Sequence, residues 1–308
     1  MGKQLLPLNT LNVPPKKIAI VFGSGGLVGG FEVGAFAPIE ENRLPFDKVY
    51  GSSVGAINGG SIVSRNGSSK ELRQAWLSFR KPSQIFEYQN ALYFIATLGM
   101  PESIYKIEPL IKLVAMIDAD ELVAQEREFV ATTTNVPSGK VVYFSNKDPE
   151  IIARPIVMSL AILASCAFPS GFPAIPIFYK GKWGEYIDGV FKRPMPLIKT
   201  LRDGYDTVIA IRCRSDKTRG KYPRDWAHAV AYGLELKHNL EEKDEIERVR
   251  REYENGINLF VIEPEFLPPT LTTVSFDKGD IQESIMEGNR ISLVVLAPLI
   301  EYYKSHPI

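Results

Sequence analysis

The chain has 308 residues and zero net charge, because 36 basic side chains balance 36 acidic ones. Its 45% hydrophobic and 23% charged content is typical of a globular protein that can bury a core. Zero net charge excludes a global electrostatic attraction to nucleic acid or to an anionic membrane. The two cysteines, Cys166 and Cys213, lack the number and spacing of a disulfide framework, which favours a reducing, cytoplasmic compartment.

The first residues are expected to be a flexible leader. Residues 1–15 end in two prolines and lack the continuous apolar core of a signal peptide. The longest apolar runs, such as 291–300, are about half of the roughly 20 residues that a bilayer-spanning helix needs. Because no later linker or internal repeat divides the chain, residues 16–308 are predicted to form a single domain.

The rest of the chain alternates short apolar runs with segments of helical spacing. Strands are predicted at 17–22, 46–50, 128–134, 140–145, 207–212 and 257–263. Helices are predicted at 29–41, 56–65, 70–79, 104–116, 155–167, 239–254 and 281–303. This alternation indicates an α/β fold with a mostly parallel central sheet. The highly charged 239–254 helix is expected to be a solvated face and not a binding surface.

A G-x-S-x-G sequence, Gly51-Ser-Ser-Val-Gly55, directly follows the second predicted strand. In this pattern a sharp strand-to-helix turn presents the central serine, and the glycines on either side relieve crowding. A simple Gly/Ser turn is the alternative, but the apolar strand before it and the small-residue helix after it favour the sharp turn. Ser53 is therefore the candidate nucleophile.

A glycine-rich loop follows the first strand and opens a helix. Its backbone N–H groups, at Ser24-Gly25-Gly26, can form an oxyanion hole beside a helix N-terminus. Nucleotide binding is the rival interpretation of such a loop. A P-loop would require a lysine that is absent, and a dinucleotide fingerprint would require Gly or Ala where Val28 stands.

A serine nucleophile also needs a base, and the residues leave two choices. Of the three histidines, His228 or His238 could complete a triad of Ser, Asp/Glu and His. Alternatively, a carboxylate acts directly on the serine. Asp188 has a suitable setting, since it ends a short apolar strand and precedes Gly189. A plain Asp-Gly turn would give the same pattern.

Taken together, these segments resemble the patatin-like phospholipases in content, order and spacing. That family carries G-G-G-x-R-G near its N-terminus, then G-x-S-x-G, then D-G-[AG] further along. The counterparts here are Ser24-Gly-Gly-Leu-Val-Gly29, Gly51-Ser-Ser-Val-Gly55 and Asp188-Gly-Val190. Further similar segments are Ala164-Ser-Cys-Ala-Phe-Pro169, Phe172-Pro173 and Pro194-Met-Pro196. The resemblance covers about residues 17–210, and the C-terminal part adds little to it.

The resemblance implies a three-layer fold with helices on both faces of the sheet, and a serine-dependent lipid acyl hydrolase. The activity would be that of a phospholipase A, a lysophospholipase or an esterase, and it would use a Ser53–Asp188 dyad, an acyl-enzyme and no cofactor or metal. The amides of Gly25 and Gly26 would form the oxyanion hole. The glycines that support these motifs would be Gly29, Gly51, Gly55 and Gly189.

Three positions depart from the family pattern: Ser24, Val28 and Val190. Val28 replaces an arginine associated with anionic head groups or with the oxyanion loop. A neutral lipid, a lysolipid or a simple acyl ester therefore fits the sequence as well as a diacyl phospholipid does. The expected partners are that substrate and, transiently, a membrane surface, with no nucleic acid.

Several alternatives remain open at the level of sequence. A triad esterase would use His228 or His238, and a patatin-like fold could also serve as a non-catalytic binding module. Acyl transfer would share the same acyl-enzyme and differ only in the acceptor. The aromatic stretch 86–94 is interpreted either as a lid or acyl-chain wall, or as ordinary core.

Overall fold

A computed structural model describes residues 11–97, 102–215, 226–253 and 256–307. The described strands are β1 (Ile18–Phe22), β2 (Lys48–Ser52), β3 (Glu128–Asn135), β4 (Lys140–Ser145), β5 (Ile175–Tyr179), β6 (Lys182–Asp188), β7 (Thr207–Ile211) and β8 (Asn258–Ile262). The α-helices are α1 (Gly30–Glu41), α2 (Val54–Ser64), α3 (Lys70–Ser78), α4 (Ala91–Ala96), α5 (Glu108–Val114), α6 (Ala119–Ala124), α7 (Pro149–Ala153), α8 (Ile156–Ser165), α9 (Leu197–Arg202), α10 (Trp226–Tyr253), α11 (Asp280–Val295) and α12 (Ala297–Ser305).

The strands form one mixed sheet, in the order β5-β6-β3-β2-β1-β7-β8, with β4 also paired to β3. The pairs β1–β2, β1–β7, β2–β3 and β7–β8 are parallel, which confirms the predicted α/β class. The predicted β3–β4 hairpin is confirmed, and β5 is a strand that the sequence patterns did not predict. The segment predicted as one helix over 281–303 is two helices, because Leu296 ends α11 and Pro298 lies in the first turn of α12.

The sheet has a hydrophobic core on each face. Alternate residues of β1 belong to different cores, since Ile20 packs in the larger cluster and Val21 in the smaller one. Side chains from α1, α2, α8 and α11 fill the larger core, and side chains from α9 and α10 fill the smaller one. The protein therefore has three layers, with the sheet in the middle. Among the described helices, none is both long and apolar enough to cross a membrane.

The leader segment is described only in part. Residues 1–10 of the predicted leader lie outside the described residues. Beyond them, the Asn12 side chain donates to the Ile257 carbonyl, and the Asn258 side chain donates to the Val13 carbonyl. These bonds hold the chain before β1 against the start of β8.

One edge of β3 brings together the ends of two strands that are far apart in sequence. β2 runs parallel to β3 up to the pair Ser52–Thr132, and β6 runs antiparallel to it down to the pair Asp188–Thr133. Because β4 occupies the other edge of β3 along residues 130–135, β2 and β6 must share the same edge. The carboxyl-terminal ends of β2 and β6 therefore face each other along this edge of β3.

Helices α1 and α11 pack backbone against backbone through two glycines. A Cβ on Gly34 would lie 1.9 Å from the Ile285 carbonyl oxygen, and a Cβ on Gly288 would lie 2.1 Å from the Phe31 carbonyl oxygen. The Ser292 hydroxyl adds a 2.6 Å hydrogen bond to the Ala35 carbonyl. Since α1 directly follows the glycine-rich loop, this contact fixes the position of that loop against the C-terminal part of the chain.

Replacement of Gly34 by Ala should lower the free energy of unfolding by about 1–3 kcal/mol, because the added methyl group forces the two helices apart. The matched control is Gly233→Ala on α10, where an added Cβ meets nothing within 4 Å. The control should raise stability by up to about 1 kcal/mol through helix propensity. Urea titrations of both variants measure the difference, and equal stability of the Gly34→Ala variant and the wild type would contradict the packing described here.

Candidate active site

Ser53 occupies a strained turn between β2 and α2. Its backbone has φ 55° and ψ −128°, a conformation that non-glycine residues rarely adopt. A Cβ on Gly51 would lie 2.3 Å from the Gly55 carbonyl oxygen, and one on Gly55 would lie 2.4 Å from the Gly23 carbonyl oxygen. Both glycines of the G-x-S-x-G sequence are therefore required by close backbone contacts, and the serine lies at the N-terminus of α2, as the pattern predicts.

Asp188 is the last residue of β6 and is 1% exposed. Burial raises the pKa of its carboxyl group to about 7, while hydrogen bonds from the Val190 N–H and the Ser53 hydroxyl act in the opposite direction. The Val190 N–H donates to Oδ1 at 3.1 Å. Gly189 follows because a Cβ there would lie 2.3 Å from the Thr132 carbonyl oxygen. The structure thus brings Ser53 and Asp188 together in one site.

The end of α8 and the two residues after it hold both Ser53 and Asp188 in place. The Ser165 hydroxyl donates to the Thr132 carbonyl at 2.7 Å and accepts from the Ser53 N–H at 3.0 Å. The Cys166 thiol donates to the Ser53 carbonyl at 3.0 Å, and the Asp188 N–H donates to the Ala167 carbonyl at 3.0 Å. Residue patterns alone do not reveal this role for Ser165, and only the family resemblance pointed to its segment.

The glycine-rich loop lies beside Ser53. Gly25, Gly26 and Ser53 line the same cleft, and Gly26 has φ 55°. A Cβ on Gly25 would lie 2.4 Å from Cys213 Cβ, and one on Gly29 would lie 2.4 Å from Val54 Cγ2. The next N–H groups are used, since Leu27 donates to the Thr273 carbonyl at 2.9 Å. Within the part of the chain that the structure describes, the Gly25 and Gly26 N–H groups have no hydrogen-bond acceptor.

Two buried acidic residues support this loop from behind. Burial raises the pKa of Glu32 well above its usual value, and Glu32 accepts a hydrogen bond at 2.8 Å from the Asn58 side chain, which also donates to the Gly29 carbonyl at 3.0 Å. Glu242 on α10 also has a raised pKa, caused by burial, and it pairs with Arg212 at 3.1 Å. Its Oε1 atom lies against the loop, since a Cβ on Gly23 would lie 3.1 Å from it. Side chains from both layers of helices therefore pack against the loop.

Helix α10 corrects an expectation drawn from the sequence. The charged 239–254 segment was expected to be a solvated face, yet Asn239, Glu242 and Glu245 are all buried. The helix also begins earlier, at Trp226, and contributes residues that line the cleft. Its buried face is polar because it meets the backbone of the glycine-rich loop and Arg212, so hydrophobic periodicity did not indicate it.

The structure separates the two histidine candidates. His238 lines the cleft, and burial lowers its pKa to about 4, so its ring is neutral at pH 7. Its Nε2 atom is buried and has no hydrogen-bond partner among the described residues. His228 lies on α10, but its side chain is outside the described residues. Only His238 is thus seen in the neighbourhood of Ser53 and Asp188.

The cleft contains about 980 Å³ of space, including its mouth, which is open to solvent. Most of its wall is apolar and aromatic, formed by Val54, Ile57, Trp76, Ile85, Phe86, Leu110, Leu113, Phe168, Phe172, Val190 and Val274. The aromatic stretch after residue 85 divides into two parts. Phe86 is buried in the cleft wall, whereas Leu92 and Ile95 on α4 are exposed. A cleft of this lining suits a long apolar ligand.

Comparisons with known proteins give one family match and a set of similar solved structures. A family model described as patatin-like phospholipase matches residues 20–201, more than half of the chain. No curated protein matches the chain by sequence. VipD from Legionella pneumophila is 13% identical with a TM-score of 0.48, over 92% of this chain and 67% of VipD. Full-length ExoU from Pseudomonas aeruginosa, in complex with SpcU, is 12% identical with a TM-score of 0.40, over 94% of this chain and 53% of ExoU.

Substitution of Asp188 by Asn should raise the melting temperature at pH 8. The folded carboxyl has a pKa of about 7 and an unfolded one about 3.9, so the folded state favours the protonated form. The free energy of unfolding is therefore highest below about pH 4, where Asp188 is protonated in both states. It decreases by up to about 4 kcal/mol as the pH rises to about 7. The neutral amide lacks this loss, so thermal melts at pH 5 and pH 8 should show a larger advantage at pH 8.

The matched control for this measurement is Asp120→Asn, at an exposed position of α6. This variant should show no increase in relative stability between the two pH values. A pH-independent difference between the Asp188→Asn variant and the wild type would contradict the ionisation behaviour described for the buried carboxyl group.

Proposed function

This chain belongs to the patatin-like phospholipase family, whose members are lipid acyl hydrolases, and on that premise we propose that it hydrolyses an acyl ester with Ser53 as nucleophile and Asp188 as base. The observation that carries the proposal is the position of both residues at strand ends that meet on one edge of β3. The raised pKa of Asp188, about 7, gives further support, because a carboxylate with that pKa is a base matched to neutral pH.

In the acylation step, Ser53 Oγ attacks the ester carbonyl carbon and its proton passes to Asp188. The carbonyl oxygen becomes an oxyanion, which accepts hydrogen bonds from the Gly25 and Gly26 N–H groups. The carbon–oxygen bond to the alcohol then breaks, and the alcohol leaves with the proton from Asp188. The product of this half-reaction is an acyl-enzyme on Ser53.

In the deacylation step, a water molecule attacks the acyl carbon and gives a proton to the Asp188 carboxylate. The bond to Ser53 Oγ breaks, Oγ recovers the proton, and the free acid leaves. Acyl transfer follows the same course when a second alcohol takes the place of water. The aromatic and aliphatic wall of the cleft, including Phe86, Phe168 and Phe172, supports binding of the acyl chain next to the nucleophile.

A triad that uses His238 is the second candidate, because the ring lines the cleft and its Nε2 atom is unpartnered among the described residues. Its pKa of about 4 speaks against this role. A general base must accept a proton in the transition state, and burial with the neighbouring Lys237 makes the imidazolium form unfavourable. The Asp188 carboxylate is therefore the better base at neutral pH.

Labelling with a fluorophosphonate tests the nucleophile. Intact-mass measurement of the wild type should show one phosphonyl adduct, because the strained turn exposes Ser53 Oγ to the cleft and the oxyanion donors activate attack. The Ser53→Ala variant should show none. The neighbouring Ser52→Ala variant is the control and should still be labelled, since Ser52 lies within β2 and is fully buried. An adduct on folded Ser53→Ala protein would refute the proposal.

The pH dependence of hydrolysis tests the base. With a short-chain p-nitrophenyl ester, kcat/KM should rise with pH and reach half of its maximum near pH 7, because only the ionised form of Asp188 accepts a proton. His238→Ala should keep this midpoint and at least a tenth of the activity. A loss of about 1,000-fold or more in that variant, with a midpoint unrelated to Asp188, would favour the triad.

A further inference from the structure

Besides its apolar wall, the cleft has a polar wall. It is formed by the segment after β7, by α10 and by the loop before α11. This wall contains Arg214, Glu235, His238, Asn239, Glu242 and Thr273. Among the described residues that line the cleft, Arg214 has the only cationic side chain, since the low pKa of His238 keeps its ring neutral. Val28, at the family's arginine position in the loop, is fully buried in the larger core and does not line the cleft. Among the described residues, the cation that lines the cleft therefore comes from the segment after β7 and not from the glycine-rich loop.

Arg214 is buried but incompletely paired. It is 9% exposed, and its Nε atom lies 2.5 Å from Glu235 Oε1. Its Nε and Nη2 atoms are both buried, and neither makes a hydrogen bond to a described residue. A buried charged donor without an acceptor is unfavourable, because its hydration is lost and not replaced. Because Arg214 lines the cleft, an acceptor on a ligand there can satisfy the guanidinium.

The neighbouring Arg212 shows what a fully structural arginine looks like in this region. It pairs with Glu242 and Glu263 and donates to the Asn239 side chain and carbonyl, so its donors are directed at protein acceptors. Among the described residues, Arg214 pairs only with Glu235, and that carboxylate also accepts a 2.6 Å hydrogen bond from the Thr273 hydroxyl. Of these two arginines, Arg214 alone both faces the cleft and keeps a free donor.

We propose that Arg214 binds an anionic, oxygen-rich group of the lipid, of the phosphodiester class, while the apolar wall holds the acyl chain. This inference rests on the proposed function, because it assumes that an acyl lipid occupies the cleft. A guanidinium edge donates to phosphate oxygens with charge-assisted hydrogen bonds, and these are stronger where water is excluded. A phosphate contact with Arg214 also narrows the substrate class that the sequence left open. It favours a phospholipid or lysophospholipid over a neutral glyceride.

Equilibrium binding to the Ser53→Ala protein tests this inference without turnover. The ligands are dihexanoylphosphatidylcholine, dihexanoylglycerol and inorganic phosphate, and calorimetry measures their dissociation constants. Arg214→Gln, which removes the charge and keeps a polar side chain, should weaken phosphatidylcholine binding at least tenfold relative to dihexanoylglycerol binding. The matched control is Arg248→Gln on α10, where an exposed arginine pairs with Glu252. This variant should leave the ratio of the phosphatidylcholine and dihexanoylglycerol dissociation constants at its original value.

A second variant gives an effect of opposite sign. Glu235→Gln removes the carboxylate that competes for Arg214, so phosphatidylcholine should bind more tightly, by severalfold, which partial unfolding would not produce. The inference is overturned if Arg214→Gln leaves the phosphatidylcholine-to-glyceride ratio unchanged, or if Glu235→Gln weakens phosphatidylcholine binding. It is also overturned if inorganic phosphate binds as tightly as phosphatidylcholine, which would indicate a site for free phosphate.

Failure of this inference and failure of the proposed function give different results. If Arg214 has no role but the dyad is correct, the wild type still hydrolyses the p-nitrophenyl ester and Ser53 is still labelled. If Ser53 is not the nucleophile, its labelling is absent, and if Asp188 is not the base, the pH midpoint near 7 is absent. In both cases the binding measurements on the Ser53→Ala protein still report on Arg214.

Discussion

The candidate site depends on one feature of strand pairing, namely that β2 and β6 share the same edge of β3. Register on that edge puts Ser52 opposite Thr132 and Asp188 opposite Thr133, so residues separated by more than a hundred positions become neighbours. The antiparallel direction of β6 is essential, because a parallel strand would present its amino end at this point. Ser165, Cys166 and Ala167 then add hydrogen bonds to the two strand ends, and the glycines allow the close backbone contacts that result.

The site also contains buried carboxyl groups, whose ionised forms are unfavourable away from water. Asp188, Glu32 and Glu242 are all buried, and burial raises the pKa of each. For Glu32 and Glu242, the Asn58 hydrogen bond and the Arg212 pair offset part of this effect. For Asp188, burial raises the pKa to about 7 despite the hydrogen bond from the Val190 N–H. The raised pKa that makes Asp188 a base at neutral pH also lowers the free energy of unfolding when the carboxyl group is ionised.

The sequence predicted those parts that depend on local pattern. The alternation of strands and helices, the β3–β4 hairpin and the Ser53 turn follow from apolar periodicity and glycine spacing, and the structure has all three. Asp188 could be chosen only through family resemblance, because an Asp-Gly pair is also an ordinary turn. The buried face of α10 escaped prediction for a specific reason. Glu235, Asn239, Glu242 and Glu245 recur at helical spacing, but a search for apolar residues passes over a polar face. Arg214 belongs to no sequence motif, because its significance lies in buried donors that find no acceptor among the described residues.

The backbone contact between α1 and α11 links the glycine-rich loop to a part of the chain beyond the family match. The family model ends at residue 201, yet the loop is held by the Thr273 carbonyl and, through α1, by the glycine contact with α11. The last hundred residues also carry Arg214, Glu235 and His238 into the cleft that Ser53 and Asp188 line. Substitutions in this part of the chain can therefore change the lining of the cleft while Ser53 and Asp188 keep their places.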